Sequence, residues 1–147
     1  LSQAAQSALS RFAGKRITKI LTAAVDGVPL ATSVASALGV DLVIAKKTKE
    51  VGVQEFVEET LIPENSAVVM SLYIPKGIIK RRDSVLVVDD VIRTGETERA
   101  LGNLILKSRA DVVGVFALVA IGDKWKEAIE PLKGAQTEIV YSVKSPR

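Results

Sequence analysis

The chain has 147 residues, 48% hydrophobic and 25% charged, a size and composition that predict a single globular domain over residues 1–147. Because it contains neither cysteine nor histidine, a disulfide framework and a structural zinc site are excluded, and any bound metal must be held by oxygen atoms. The net charge of +3 is too small to indicate nucleic-acid binding as the main activity, and the lack of a membrane-length apolar stretch or signal pattern predicts a cytoplasmic protein without membrane contact.

The spacing of apolar residues predicts strands that alternate with helices along the chain. Helices are expected at residues 2–12, 29–38, 96–109 and 124–132. Strands are expected at residues 17–24, 41–45, 67–74, 85–88, 112–121 and 138–143. This alternation predicts an α/β fold with a doubly wound parallel sheet.

Two adjacent carboxylates end the most apolar of these predicted strands. Residues 85–88 are β-branched or leucine, as expected for a strand buried on both faces of a parallel sheet, and Asp89 and Asp90 follow at its carboxyl end. Ligands of open α/β sheets bind at that edge. The two carboxylates are suited to accept hydrogen bonds from the vicinal hydroxyls of a sugar, directly or through the water shell of a divalent cation.

A small-residue turn follows the carboxylates and opens the next predicted helix. Thr94, Gly95 and Thr97 supply hydroxyls and free backbone N–H groups at a helix N-terminus, where the helix dipole favours a phosphate group. Phosphate and diol recognition side by side predict a ribose phosphate ligand. The alternative is an ordinary buried strand followed by a capped helix, with Thr94 or Asp90 serving only as the cap.

The segment 85–97 resembles the phosphoribosyl pyrophosphate signature of the type I phosphoribosyltransferases: a hydrophobic strand, two acidic residues, a short spacer and a Thr-Gly-Gly-Thr turn. Residues 21–31 and 39–49 are similar to the adenine phosphoribosyltransferases and the related archaeal hypoxanthine/guanine enzymes. The resemblance implies a purine phosphoribosyltransferase that forms a nucleoside monophosphate and pyrophosphate, with adenine the first choice of base and hypoxanthine or guanine the next. It further implies a role in purine salvage, Mg²⁺ as cofactor, phosphoribosyl pyrophosphate (PRPP) and a purine base as partners, and a homodimer.

The resemblance also assigns the site. Asp89 and Asp90 would be the catalytic residues that hold the ribose hydroxyls, and Mg²⁺ would bind mainly through pyrophosphate, with these two carboxylates as its protein contacts. The substrate-binding residues implied are Ala24, Val25, Asp26 and Gly27 around pyrophosphate, Lys46 and Lys47 as its counter-charges, and Arg93, Thr94, Gly95, Glu96 and Thr97 around the 5′-phosphate. In the family the first of these loops often contains a strained peptide bond. The alternative for the lysine pair is a solvated surface loop.

Four residues depart from the family pattern. Ala24 stands where the adenine-type enzymes usually have glutamate, and Asp26 where they usually have a basic residue. In the phosphate turn, Glu96 replaces the second glycine and Arg93 a small residue; Arg93 would either pair with Glu96 or clasp the phosphate itself. The altered first loop, together with an abbreviated hood, favours a second hypothesis, a PRPP-sensing regulatory domain without catalysis, whereas the mild net charge and the lack of a helix-turn-helix pattern oppose it. Transfer to a non-purine acceptor such as orotate is a third.

Two further expectations follow from the resemblance. Little more than one helix precedes the first core strand, so an abbreviated hood is expected, with base recognition falling to residues 121–143 or to a neighbouring subunit. Phe116 and Trp125 are candidates for stacking on the base. The alternative is core packing for Phe116 and a place in a subunit interface for Trp125. Residues 48–65 correspond to a mobile loop of the family, the alternatives being a surface hairpin or a short helix.

Overall fold

The computed structural model of the protein describes residues 2–64, 66–132 and 134–146. Its helices are α1 (Gln3–Arg11), α2 (Val28–Leu38), α3 (Glu96–Lys107) and α4 (Trp125–Ile129). Its strands are β1 (Lys19–Ala23), β2 (Asp41–Ala45), β3 (Phe56–Leu61), β4 (Met70–Pro75), β5 (Ser84–Ile92), β6 (Asp111–Ile121) and β7 (Gln136–Val143). Within the described residues, no helix combines the length and apolarity needed to cross a membrane.

A parallel sheet in the order β2-β1-β5-β6-β7 forms the centre of the fold, and β3 and β4 form a separate antiparallel hairpin. Apolar residues cover both faces of the sheet. On one face, α1 and α2 pack against Ile20, Leu86 and Phe116; on the other, α3, α4 and the hairpin pack against a second cluster that includes Leu21 and Val87. This arrangement confirms the predicted doubly wound α/β fold.

The central strand β5 is longer than the sequence pattern predicts. Residues 85–88 are fully buried, which explains their uniform apolarity. The prediction that this strand ends at Val88 is wrong, because its pairing with β6 continues through Asp89 and Val91 to Ile92. Asp89 and Asp90 therefore lie on a paired strand near its carboxyl end. Their backbone positions are fixed by the sheet rather than by a loop.

Strand β3 is the main element that the periodicity did not predict. Residues 56–61 of the segment 48–65 form this strand and pair with β4, as in the hairpin alternative, and the mobility of the segment stays a prediction. Asn65 lies outside the described residues. The partner strand β4 begins at Met70. The predicted start at residue 67 is wrong, because Val68 and Val69 are exposed and precede the first paired residue. Similarly, α4 ends at Ile129, short of the predicted residue 132.

Candidate functional site

A cleft of about 420 Å³ opens at the carboxyl ends of β1 and β5, with the β3–β4 hairpin forming its far wall. The predicted site residues that line it are Ala24, Val25, Asp26, Gly27, Lys47, Asp89, Asp90, Arg93 and Thr97. A smaller pocket of about 160 Å³ continues from it along the start of α3 and adds Thr94, Gly95 and Glu96. The structure thus brings together in space all but one of the residues that the resemblance assigned to substrate binding.

The exception is Lys46. Its ammonium group forms an ion pair of 3.1 Å with Glu50, and its backbone pairs with that of Tyr73 on β4. Lys47, the next residue, lines the cleft. Of the two lysines, Lys47 is therefore the one positioned to face an anionic ligand, and the surface-loop alternative describes Lys46.

Gly27 allows the loop after β1 to approach β5 closely. A Cβ atom at this position would overlap the hydroxyl oxygen of Thr22 and lie 3.1 Å from Oδ1 of Asp89. The peptide bond between Ala24 and Val25 in the same loop is cis. Because any larger residue would push the loop away from Asp89, glycine is required by this contact.

The turn between β5 and α3 is shaped by Gly95 and lines the smaller pocket. Gly95 precedes the helix with a positive φ of 79°, and a Cβ atom there would lie 2.9 Å from the backbone of Trp125, so the glycine also permits α4 to pack on the turn. The hydroxyl oxygen of Thr94 accepts a hydrogen bond of 3.3 Å from the backbone N–H of Glu96. The start of α3 therefore combines the hydroxyls and helix dipole that suit a phosphate.

The two substituted residues of this turn are each paired with another charge. The carboxylate of Glu96 accepts a hydrogen bond of 3.0 Å from Nε of Arg99 and forms an ion pair with it, so its partner is Arg99 rather than Arg93. Arg93 is half-exposed and lies 4.0 Å from the carboxylate of Glu64, at the tip of the hairpin. The expectation that Arg93 pairs with Glu96 is therefore wrong. Because Glu96 is paired with a cation, its repulsion of a bound phosphate is reduced.

The partly buried Asp89 pairs with a buried carboxyl group, that of Glu98, which the sequence analysis missed. Oδ1 of Asp89 accepts a hydrogen bond of 2.8 Å from the backbone N–H of Asp90, whose own carboxylate accepts one of 2.8 Å from Val91. Glu98 on α3 is 2% exposed and hydrogen-bonds the Asp89 carboxyl group. The signal that identifies Glu98 is its helical spacing, since it shares the buried face of α3 with Leu101 and Ile105.

Burial of this pair changes its protonation. Burial, together with the neighbouring carboxyl groups of Glu98 and Asp90, raises the pKa of Asp89 to about 10. Burial also raises the pKa of Glu98. At neutral pH the pair therefore holds a proton, because two carboxyl groups in contact and shielded from water do not both ionise. Asp90 lines the same cleft as Asp89.

The candidates for stacking on a base are both buried. Phe116 is fully enclosed, with its ring centroid 6.5 Å from that of Phe12, which confirms core packing. Trp125 is 9% exposed, belongs to the core, and donates a hydrogen bond of 3.1 Å from its indole to the carbonyl of Gly122. The expectation that Phe116 stacks on a base is wrong, because its ring is fully enclosed. Trp125 lines a pocket with residues from the segments 126–132 and 134–137 rather than the cleft, and its role in base binding stays a prediction. A pocket of about 130 Å³ between residues 121–124 and Arg93 adjoins the phosphate turn instead.

Comparison with known proteins gives consistent matches. The family model described as "Phosphoribosyl transferase domain" matches residues 2–146. A xanthine phosphoribosyltransferase of Brevibacillus brevis is 34% identical over 111 residues, which are 74% of this chain and 56% of that protein. The purine biosynthesis transcriptional repressor PurR of Bacillus subtilis is 31% identical over 119 residues, which are 81% of this chain and 42% of the repressor. The chain thus spans about half the length of these relatives.

Solved structures share the fold. An adenine phosphoribosyltransferase of Rhodothermus marinus superposes with a TM-score of 0.83 at 24% identity, covering 95% of this chain and 77% of that one. The enzyme of the same name from Thermoanaerobacter pseudethanolicus gives a TM-score of 0.82 at 20% identity, covering 95% and 78%. At such identities the likeness establishes a common architecture.

Proposed function

Because the chain belongs to the type I phosphoribosyltransferase family, we propose that it binds PRPP and transfers the ribose 5-phosphate group to a purine base, releasing pyrophosphate. The observation that carries this proposal is the cleft itself. It holds Asp89 and Asp90 on β5, a turn at the start of α3 whose hydroxyls and helix dipole suit a phosphate, and a loop that Gly27 brings close to the Asp89 carboxyl group. The proposed phosphate and diol contacts therefore lie side by side.

The proposed mechanism follows from charge. Displacement at the anomeric carbon passes through a cationic sugar, so the site must clamp the 5′-phosphate and neutralise the leaving pyrophosphate. The turn at Thr94 and Gly95 would hold the phosphate, while Asp90 and Asp89 would accept hydrogen bonds from the ribose hydroxyls. The loop of residues 24–27 would enclose pyrophosphate through its backbone N–H groups, with Lys47 opposite.

Mg²⁺ is the metal we propose for this site. Carboxylate and phosphate oxygens are its preferred ligands, and Asp90 and Asp89 supply the former at the cleft. In this proposal pyrophosphate supplies most of the remaining ligands. When bound, the ion would offset the negative charge of the leaving group.

The proposed base is a purine. Adenine is the first choice and hypoxanthine or guanine the next; the names of the sequence relatives add xanthine to the bases worth testing. The pocket beside residues 121–124 supports recognition by the C-terminal part of the chain. Adjacent to the cleft, the connection between β3 and β4 exposes Ile62, Val68 and Val69, which supports the proposed homodimer. A cytoplasmic location completes the proposal.

A PRPP-sensing regulatory domain is the second candidate function. Two observations favour it: a transcriptional repressor is among the relatives above 30% identity, and Ala24 and Asp26 replace residues that the adenine-type enzymes usually carry in the first loop. Asp26 lines the cleft with an exposed carboxylate, where it would oppose pyrophosphate. Such a domain would bind PRPP but would not catalyse the transfer of the ribose 5-phosphate group.

One experiment separates the two candidates. PRPP is titrated with Mg²⁺ into the protein in a calorimeter, and adenine, hypoxanthine, guanine and xanthine are then added singly while released pyrophosphate is measured. Binding followed by pyrophosphate release with one base supports the transferase and identifies its substrate. Binding without release with any base supports the sensor, and no binding contradicts both.

A further inference from the structure

Glu98 is a buried acid with no cation to pair with it, in contrast to its neighbour Glu96. It is 2% exposed, and its Oε2 atom has no hydrogen-bond partner among the described residues. The buried face of α3 is otherwise apolar, including Leu101 and Ile105, so an apolar residue would pack at this position without the cost of burying a carboxyl group. A buried carboxyl group that costs stability on an otherwise apolar helix face indicates a role in a functional site.

The contact that Glu98 makes is with Asp89. Both carboxyl groups line the pocket that runs from the cleft along the start of α3, and they are neighbours that can share a hydrogen bond when one of them carries a proton. Asp89 is held on its other sides by the backbone N–H of Asp90 and by the close approach of Gly27. Three neighbours therefore restrict the rotation of the Asp89 carboxyl group. Of these, Glu98 is the only one that acts through its side chain.

We propose that Glu98 is a positioning residue that fixes the orientation of Asp89 toward the ribose hydroxyls and so sets the preference of the site for ribose over deoxyribose phosphates. This inference rests on the proposed function, since it needs a sugar phosphate in the cleft. Glu98 does not touch the sugar. It holds the Asp89 carboxyl group, which does contact the sugar in this proposal. A buried hydrogen bond can keep such a side chain in one rotamer.

Three ligands test this proposal: ribose 5-phosphate, 2-deoxyribose 5-phosphate and inorganic phosphate, each titrated into the full chain by calorimetry. The wild type is expected to bind ribose 5-phosphate more tightly than the deoxy sugar. Glu98→Met, which keeps the volume and removes the hydrogen bond, is expected to reduce that preference by about tenfold. Its affinity for inorganic phosphate should not change, because the phosphate turn is intact.

Three further variants separate positioning from general stability. Glu98→Gln still donates a hydrogen bond to Asp89 and is expected to keep most of the ribose preference. Leu101→Ala removes a fully buried side chain from the same helix face, so it should lower the melting temperature and leave the preference unchanged. If Glu98→Met does not fold, Glu98→Ala replaces it, with the same expected loss of preference.

The outcomes distinguish this inference from the proposed function. If the wild type prefers ribose 5-phosphate and Glu98→Met retains that preference, the positioning role is overturned and the proposed function stands. If the wild type binds neither sugar phosphate, the proposed function is overturned, and the inference with it. A loss of preference in Glu98→Met that is as large in Leu101→Ala also overturns it, because destabilisation alone would then explain the change.

Discussion

At the scale of single residues, Asp89 is held at a cost to stability that its proposed role in binding explains. Its pKa of about 10 means that folding places a carboxyl group in surroundings that disfavour its charge. A group whose pKa is raised by folding contributes less stability as the pH rises above its unfolded value near 4. At neutral pH, Asp89 is therefore expected to destabilise the folded chain relative to a neutral residue of the same shape.

Asp89→Asn is accordingly expected to preserve or raise the melting temperature while it weakens PRPP binding by about tenfold or more, since the amide nitrogen cannot accept a hydrogen bond from a ribose hydroxyl. Asp90→Asn should weaken binding and turnover similarly, because it replaces an oxygen that lines the cleft with an amide nitrogen. Differential scanning calorimetry and titration with PRPP and Mg²⁺ measure the two effects. Asp41→Asn, an exposed acid at the start of β2, is the control. Wild-type affinity and turnover in both site variants would contradict the assignment.

Gly27 gives a second prediction at this scale. In Gly27→Ala the added methyl group would overlap the Thr22 hydroxyl and crowd Asp89, so the loop must move away from β5. We expect a loss of stability of about 1–3 kcal/mol, as for other overpacked sites, together with weaker PRPP binding. Chemical denaturation and titration calorimetry measure both.

The double variant Thr22→Ala with Gly27→Ala is the control for this explanation. Thr22 is fully buried and its hydroxyl has no hydrogen-bond partner among the described residues, so removing that hydroxyl is tolerated and relieves the overlap. The double variant should recover most of the lost stability but only part of the binding, because the contact with Asp89 remains. If it is no more stable than Gly27→Ala alone, the overlap with Thr22 is not the cause.

At the scale of elements, α3 connects the phosphate turn to the hairpin wall of the cleft. Arg99 donates a hydrogen bond of 3.0 Å to the carbonyl of Thr60, and Lys107 donates one of 2.7 Å to the carbonyl of Glu58. Lys107 also pairs with the carboxylate of Glu59 at 3.3 Å. Both cations therefore bind β3 from one helix. The wall of the cleft is fastened to the element that opens the phosphate turn.

Replacing both Arg99 and Lys107 by alanine is expected to loosen β3 locally. The two hydrogen bonds together are worth about 1 kcal/mol, so amide hydrogens of residues 56–61 should exchange roughly fivefold faster. Hydrogen exchange with mass spectrometry measures this peptide by peptide. Lys76→Ala removes a cation that pairs with exposed Glu55 beyond the end of the same hairpin, and should leave the rate unchanged. Equal acceleration in that control would show that the effect is not specific to α3.

The elements also show how far the sequence determines the prediction. Strands β5 and β6 are recognisable because the central stretches of these parallel strands are buried on both faces and continuously apolar. The strand β3 reads Phe-Val-Glu-Glu-Thr-Leu, and its adjacent glutamates hide any alternation; they are tolerated because Lys107 pairs with Glu59. The end of β5 was missed for a related reason. Pairing with β6 carries the strand through two aspartates that local propensity assigns to a loop.

The candidate site was predicted more completely than the elements around it. The carboxylates, the turn and the first loop belong to contiguous motifs, whose spacing is visible in the sequence. Glu98 was missed because its role depends on burial against Asp89, which only the packing of α3 on β5 creates. The choice between Lys46 and Lys47 likewise depended on a contact across the fold, the bridge to Tyr73.

At the scale of the whole molecule, the candidate site lies at the carboxyl ends of the strands, and a group of polar contacts around Asp83, the Asp83 anchor, lies at their amino ends. The cleft lies at the carboxyl ends of β1 and β5, whereas Asp83 precedes the first residue of β5. There the carboxylate of Asp83 accepts hydrogen bonds of 2.8 Å from Lys19, 2.8 Å from Thr18 and 2.7 Å from the backbone N–H of Lys80. These contacts join the start of β1 to the start of β5. A change at this edge therefore tests stability without touching the ligand.

Asp83 makes the stability of the whole chain depend on acid. Burial alone would raise its pKa, but the hydrogen bonds from Lys19, Lys80 and Thr18 outweigh it and lower the pKa to about 2. Because the unfolded value is near 4, this carboxylate contributes about 2 kcal/mol above that pH, and the contribution is lost as the pH falls from about 4 to about 2. Both side chains of the pair are less than one-sixth exposed, with values of 14% for Lys19 and 9% for Asp83, so solvent screening is small.

Asp83→Asn is therefore expected to lower the free energy of unfolding by about 2 kcal/mol at pH 7 and by much less near pH 2, where the wild-type carboxylate is itself being protonated. Urea denaturation at a series of pH values measures the difference. Glu55→Gln is the matched control, because the wild-type Glu55 carboxylate pairs with Lys76 and both side chains are exposed to solvent. This variant should show little change in unfolding free energy at either pH. Because the anchor lies across the sheet from the cleft, PRPP affinity at pH 7 should be the same in the wild type and in Asp83→Asn. A difference in unfolding free energy that persists unchanged to pH 2 would mean that Asp83 acts through packing rather than through its charge.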